Sequence, residues 1–238
     1  MSKQTSLYYG KVYHIYNRGN NRENLFRFPE DYQHFLRLYE KYIEPIAETY
    51  SWCLLGNHFH LLVKIKPKEE IGFFNPFYSS RSKDSGRITN GINDDLKWQL
   101  ISENEIALLD DIALKDLRRP TPYRQFSHLF NAYSKHINTR YKRTGSLFEK
   151  NFCRICVENI FHFKQLVIYI HKNPQHHRYI ENFRHYPWSS YQSILSIKPT
   201  KLSREKVIGW FDDEARFIEM HSKSQPIFLD NKFFLEYN

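Results

Sequence analysis

The chain has 238 residues, 41% of them hydrophobic and 26% charged, with a formal net charge of +9. That length serves one compact domain with additions or two small ones, and the composition excludes a fully disordered or collagen-like chain. No stretch reaches the roughly 18 consecutive apolar residues of a membrane helix. Residues 1–5 lack the apolar core of a signal peptide, so a cytoplasmic protein with no membrane partner is expected. The cysteines Cys53, Cys153 and Cys156 are odd in number and sparse, which reads as reduced thiols and not as a disulfide framework. Cys153 and Cys156 form a CxxC with no second pair to close a zinc site, so a buried strand is expected there.

In chain order, Lys11 to Tyr16 alternates and is rich in β-formers, the pattern of a strand. Residues 17–21, Asn-Arg-Gly-Asn-Asn, break it with turn chemistry. Pro29 opens a helix with Phe35, Leu38, Tyr39 and Tyr42 at helical spacing, ending near Pro45. Tyr50–Leu55 and His58–Lys66 read as strands joined through Gly56-Asn57 into a hairpin. Residues 67–122 change character: Pro67, Pro76 and a serine run suggest a loop, and 94–117 an acidic helix or helix pair, together an insertion. Pro122–Tyr141 is a basic helix with Phe126, Leu129, Phe130, Tyr133 and Ile137 on one face, closed by Gly145. Residues 147–157 read as extended. Glu158 and Asn159 start a helix through Phe163, Leu166, Val167 and Ile170 that stops at Pro174. A last helix is expected over 204–221. The order β-α-β-β-α-β-α fits an α+β class, an antiparallel sheet covered by helices.

Charge is unevenly distributed. Lys and Arg minus Asp and Glu gives +3 for residues 1–66, −2 for 67–120, +8 for 121–180 and 0 for 181–238. A localised basic block points to a polyanion, although a solvated basic surface has the same composition. Its cations are Arg124, Lys135, Arg140, Lys142, Arg143, Lys150 and Arg154, interleaved with Tyr123, Tyr133, Tyr141 and Phe148. Cations anchor phosphates and aromatic rings stack on unpaired bases, which suits single-stranded or hairpin DNA. The alternative is an aromatic core with a basic outside.

Two constellations carry chemistry. On a strand, His58, His60, Leu62 and Lys64 share one face, while Phe59, Leu61, Val63 and Ile65 share the other and should be core. Two imidazoles about 7 Å apart along one face can converge on one metal ion. A random chain of this composition holds about 0.6 such HxH pairs, so the spacing alone also fits two partly exposed strand histidines. On the later helix, Tyr169 and Asn173 lie one turn apart on one face, with Gln165 a turn earlier and Lys172 beside them. A tyrosine can attack phosphorus, and an amide oxygen one turn away can ligate a metal that polarises the phosphate. Packing and a plain Asn-Pro helix stop explain the same residues. The chain has no GxxxxGK[ST] loop and no GxSxG elbow, so nothing points to nucleoside triphosphates as an energy source.

Four segments together resemble a known family. His58-Phe59-His60, preceded by Trp52-Cys53-Leu54-Leu55-Gly56-Asn57, resembles the HUH motif of the IS200-like tyrosine transposases. Tyr169-Ile170-His171-Lys172-Asn173-Pro174 resembles the tyrosine helix of their REP-associated branch. Tyr13 to Gly19 resembles that branch's first strand and turn, and Trp188-Ser189-Ser190-Tyr191 its C-terminal signature. The resemblance spans residues 8–192, with 67–122 the least similar part and 193–238 a C-terminal extension. It implies a ferredoxin-like (RRM-like) antiparallel sheet flanked by helices, of HUH endonuclease type. It implies a single-strand DNA transposase that cleaves near a hairpin, links the 5′ phosphate to tyrosine and frees a 3′-OH. By matched position Tyr169 is the nucleophile, and His58 and His60 ligate a divalent metal, Mg²⁺ or Mn²⁺. Asn173 falls at the third ligand position, where the wider family often has glutamine. The basic block, Asn17, Arg18 and Lys172 are the expected DNA contacts. The resemblance leaves a homodimer open. Two other readings stand beside it: a non-catalytic relative that grips structured DNA or RNA, and a histidine phosphoesterase for small molecules, which leaves the +8 block unexplained.

Overall fold

The computed structural model describes residues 6–73, 119–149 and 151–223. Lys150 and the helix pair expected over 94–117 lie outside them. The elements are β1 (Val12–Arg18), α1 (Pro29–Tyr42), β2 (Ala47–Leu55), β3 (His58–Ile65), α2 (Pro122–Arg140), β4 (Cys153–Val157) and α3 (Ile160–His176). Three short helices follow: α4 (Tyr191–Leu195), α5 (Arg204–Trp210) and α6 (Glu214–Ser222). The strands form one four-stranded sheet in the order β2-β3-β1-β4. Each pair is antiparallel. With helices between β1 and β2 and between β3 and β4, this is the βαββαβ arrangement of ferredoxin-like folds. Among the described residues, no helix is long and apolar enough to cross a membrane.

Strand alternation divides the core into two. Tyr13, Ile15, Leu54, Phe59, Leu61, Val63 and Ile65 face α1 and α2, where Phe35, Phe126, Leu129 and Tyr133 complete one apolar cluster. Val12, Cys53, Leu55, Leu62 and Val157 face α3 and the C-terminal helices. There Leu166, Val167 and Ile170 join Tyr191, Val207, Phe211 and Phe217. Each fully buried aliphatic side chain of α3 contributes about 1.5–3 kcal/mol, which holds the helix to the sheet. Phe59, Leu61, Val63 and Ile65 are core, as the alternation predicts.

Several boundaries differ from the sequence reading; β2, for one, begins at Ala47 and not at Tyr50. β1 runs on to Arg18, because Gly19 and not Asn17 makes the turn. A Cβ at Gly19 would collide with the Glu23 carbonyl, so the turn requires glycine. α2 ends at Arg140, and Lys142, at φ 49°, takes the left-handed turn before Gly145. α3 starts at its expected cap, where the Asn159 side chain accepts from the His162 N–H at 2.8 Å, but it passes Pro174 and ends at His176. Proline so near a helix end removes one donor only, and the next turn closes through His177 N–H to the Asn173 carbonyl at 3.0 Å. The expected 204–221 helix is two, split where Asp212 takes φ 75° and the Asp213 side chain caps α6. Cys153 and Cys156 sit on a strand but are half-buried, not buried, because β4 is an edge of the sheet.

Candidate functional site

Pairing register assembles the site on the α3 face. On β3, His58 lies opposite Arg18 of β1 and Leu55 of β2, and His60 lies between Tyr16 and Cys53. Directly opposed residues share a face, so His14, Tyr16, His58 and His60 point to the same side. Nε2 of His14 is 3.0 Å from Nδ1 of His60. The His58 and His60 rings stand perpendicular, with centroids 5.4 Å apart.

α3 then lays Tyr169 and Asn173 over these rings. The Tyr169 ring meets His60 edge-on at 5.4 Å and His14 at 6.2 Å. Asn173 Oδ1 is 3.1 Å from His58 Nε2. His58 Nδ1 is 2.7 Å from Asn57 Oδ1. The Asn57 amide is oriented by its Nδ2 donating to the Arg22 carbonyl at 3.5 Å and by the Tyr179 hydroxyl donating to Oδ1 at 3.4 Å.

That geometry tests whether a cation fits. A neutral His58 has one N–H. Given at Nδ1 to Asn57, it makes Nε2 a lone pair facing the Asn173 carbonyl oxygen, a second lone-pair atom. A proton or a cation in front of both satisfies them. Ligand atoms ~2.1 Å from one ion lie roughly 3 Å apart at the angles divalent ions adopt. The Asn173 Nδ2 is buried with no hydrogen-bond partner among the described residues, so the amide is not held by other groups. Two imidazoles and an amide oxygen suit a divalent cation, and the donor set fits one. Among the described residues no group of three His, Cys, Asp or Glu side chains is arranged to hold a metal, so a site here depends on the amide.

Burial grades the site. Tyr169 is 1% exposed, His60 and Asn173 are 0%, and His58 is 9%. Only His58 of these four lines the adjoining pocket, of about 380 Å³, with Tyr16, Asn17, Arg18, Asn57 and His177. Asn17 and Arg18 thus stand beside the histidines. The Arg18 Nε pairs with Glu149 Oε1 at 2.8 Å, and Asn17 Nδ2 donates to the Glu149 carbonyl at 3.5 Å.

The basic block lies elsewhere. Arg154 pairs with Ile15 and so faces the α1–α2 layer, where its guanidinium sits over Tyr123 at 5.1 Å and Phe152 at 5.0 Å. Arg140 is 3.5 Å from Asp31 and 3.6 Å from Glu30. Arg143 pairs with Glu23 at 2.6 Å. Arg124, Lys135 and Lys142 are exposed on α2 and just past its end. Of the interleaved aromatics, Tyr133 and Phe148 are buried while Tyr123 is exposed. The Tyr141 hydroxyl donates to Asp31 at 2.7 Å. Lys172 turns from Tyr169 toward the C-terminal helices, donating to the Lys223 carbonyl at 2.8 Å, and burial lowers its pKa.

Sequence reasoning missed two site histidines. His14 gave a signal only as a polar residue alternating with core positions of β1. His177, whose ring meets His58 at 4.7 Å, follows Asn173 by one helical turn, the same spacing that linked Asn173 to Tyr169.

Comparison with solved structures finds a similar architecture. A REP-associated tyrosine transposase bound to a REP hairpin aligns with a TM-score of 0.50 and 11% identity, covering 84% of this chain and 88% of that one. At that identity the likeness is one of fold: an α+β sheet with helices, as in that transposase. No family model and no curated protein sequence matches the chain.

Proposed function

We propose that the chain is a metal-dependent, single-strand DNA endonuclease and transposase that cuts and rejoins DNA beside a hairpin. One observation carries this reading: His58, His60, Tyr169 and Asn173 meet on one face of the sheet. The fold is shared with a hairpin-bound transposase, which supports it. His58, His60 and Asn173 would hold Mg²⁺ or Mn²⁺. Bound there, the ion supplies charge to the phosphate's oxygens. The Tyr169 oxygen attacks phosphorus and loses its proton. The bond to the 3′ oxygen breaks, that oxygen gains a proton, and the 5′ phosphate stays on Tyr169. A 3′-OH reverses the step, so rejoining needs no triphosphate. The Tyr169 ring meets His60 of its own chain at 5.4 Å, which supports action within that chain. Residues 8–192 form the catalytic unit and 193–238 its extension.

Asn17 and Arg18, in the pocket beside His58, would hold the phosphate backbone near the cut. Arg124, Lys135, Lys142, Arg154 and exposed Tyr123 would hold the flanking DNA from the α2 side, with Arg140, Arg143, Lys150 and Lys172 as lesser contributors to its phosphates. A second reading, binding structured nucleic acid without cutting, draws on the burial of Tyr169. In the catalytic reading, DNA binding must bring the phenol to the pocket.

The test is a labelled DNA hairpin with single-stranded flanks, incubated with Mn²⁺ and either wild type or Tyr169→Phe. Wild type should give a denaturant-resistant protein–DNA adduct and the variant none, at equal hairpin affinity. Adducts from both proteins would refute Tyr169 as nucleophile. Tight binding with no adduct from either would establish the binding-only reading.

A further inference from the structure

The helix that carries Tyr169 is gripped from behind by a buried hydrogen-bond relay that the proposed chemistry does not use. His171 is two residues from both Tyr169 and Asn173. At about 100° per residue it therefore points roughly 160° away from each, toward the back of the helix. There its Nδ1 is 3.0 Å from His221 Nε2, and its Nε2 is 2.8 Å from Ser190 Oγ. His221 Nδ1 is 2.8 Å from the Phe217 carbonyl. Ser190 Oγ accepts the Trp52 N–H at 2.9 Å.

These partners leave one arrangement of protons for neutral rings. The Phe217 carbonyl can only accept, so His221 Nδ1 donates and its Nε2 accepts. His171 Nδ1 then donates, its Nε2 accepts, and the Ser190 hydroxyl donates to it. Both imidazoles and the serine are 0% exposed, and every polar atom of the relay has a partner. Three distant parts of the chain are joined: α3, the turn before α4, and α6. The serine is itself fixed to the sheet, because Ser190 N–H donates to the Trp52 carbonyl at 2.9 Å and Leu54 N–H to the Trp188 carbonyl at 2.9 Å. Cys53, between those two β2 residues, is the neighbour of His60.

We infer that Ser190, His171 and His221 are positioning residues: the relay sets the rotation and height of α3, and so aims Tyr169 and Asn173 at the histidine pair. Apolar attraction between Leu166, Val167, Ile170 and the sheet has no preferred direction, whereas hydrogen bonds fix the direction between donor and acceptor. The inference rests on the proposed active site and adds the means by which it is kept in register.

The experiment compares full-length wild type, Ser190→Ala and His221→Ala, with a 3-fluorotyrosine placed at 169. The readouts are its ¹⁹F shift, Mn²⁺ affinity, hairpin affinity and adduct rate at saturating DNA. The expected result is folded variants with a moved ¹⁹F signal, weaker Mn²⁺ binding and a roughly tenfold or greater fall in adduct rate. Hairpin affinity should stay unchanged, and added imidazole should restore His221→Ala. If His221→Ala fails to fold, Ser190→Ala, which removes one hydroxyl, decides alone. A folded Ser190→Ala with wild-type ¹⁹F shift and Mn²⁺ affinity overturns the inference. Absence of adduct from wild type strikes instead at the proposed chemistry, and the ¹⁹F shift still judges the relay.

Discussion

The two faces of β3 differ by one residue of register and by everything else. Toward α1 and α2 the strand offers Phe59, Leu61, Val63 and Ile65, all at most 1% exposed and packed on apolar rings. Toward α3 it offers His58 and His60, which meet His14, Asn173 and Tyr169. Burying polar groups costs free energy that apolar residues in the same places would not. The first face shows what this fold needs to stand. The second shows what it carries at a cost, and such groups are the ones to assign to function.

Substitutions can break that comparison, beginning with the largest effect. His58→Ala should lower the rate of adduct formation with Mn²⁺ by about 10²–10³, comparable to removing one transition-state contact. Its hairpin affinity, read by fluorescence anisotropy, should change less than about twofold, because the ring touches the pocket and not the basic surface. Phe59→Ala, one residue away, should cost about 3–5 kcal/mol in urea unfolding, as large aromatic deletions in packed cores do. The double variant His14→Phe/His60→Phe should lose Mn²⁺ binding yet unfold within about 1 kcal/mol of wild type, since apolar replacement of both buried partners is nearly neutral.

Smaller effects sharpen the contrast. Burial lowers the His221 pKa to about 3, the Phe217 carbonyl acting against it, and lowers His34, in the α1–α2 layer, to about 4. Both are neutral in the folded chain, while in the unfolded chain they bind protons below about 6.5. Stability is therefore full above that pH and falls as the solution is acidified toward the folded values. The urea midpoint should drop between pH 7 and pH 5, and His221→Phe should flatten part of the slope. Least of all, Arg124→Ala should weaken hairpin binding slightly and reduce the slope of log K against log salt by about one. Arg143→Ala should reduce it less, because Arg143 already pairs with Glu23.

Much of this was legible in the sequence, for physical reasons that differ by element. Alternation in β3 placed Phe59, Leu61, Val63 and Ile65 in the core, and the four-residue spacing of Tyr169 and Asn173 put both on one helix face. What the sequence did not reveal depends on pairing between distant segments. His14 becomes a partner of His60 only through the β1–β3 register. His171, His221 and Ser190 meet only once α6 folds back. A charge count also does not show which cations of the basic block are already engaged: Arg140 is held by Asp31 and Glu30, and Arg143 by Glu23.

The most direct test is to digest the adduct formed with a hairpin substrate and Mn²⁺, and to locate the linked nucleotide by peptide mass spectrometry. The account predicts a 5′-phosphate ester on the peptide containing Tyr169, at the phenol oxygen. A nucleotide on another residue, such as Tyr16, which lines the pocket beside His58, would contradict it.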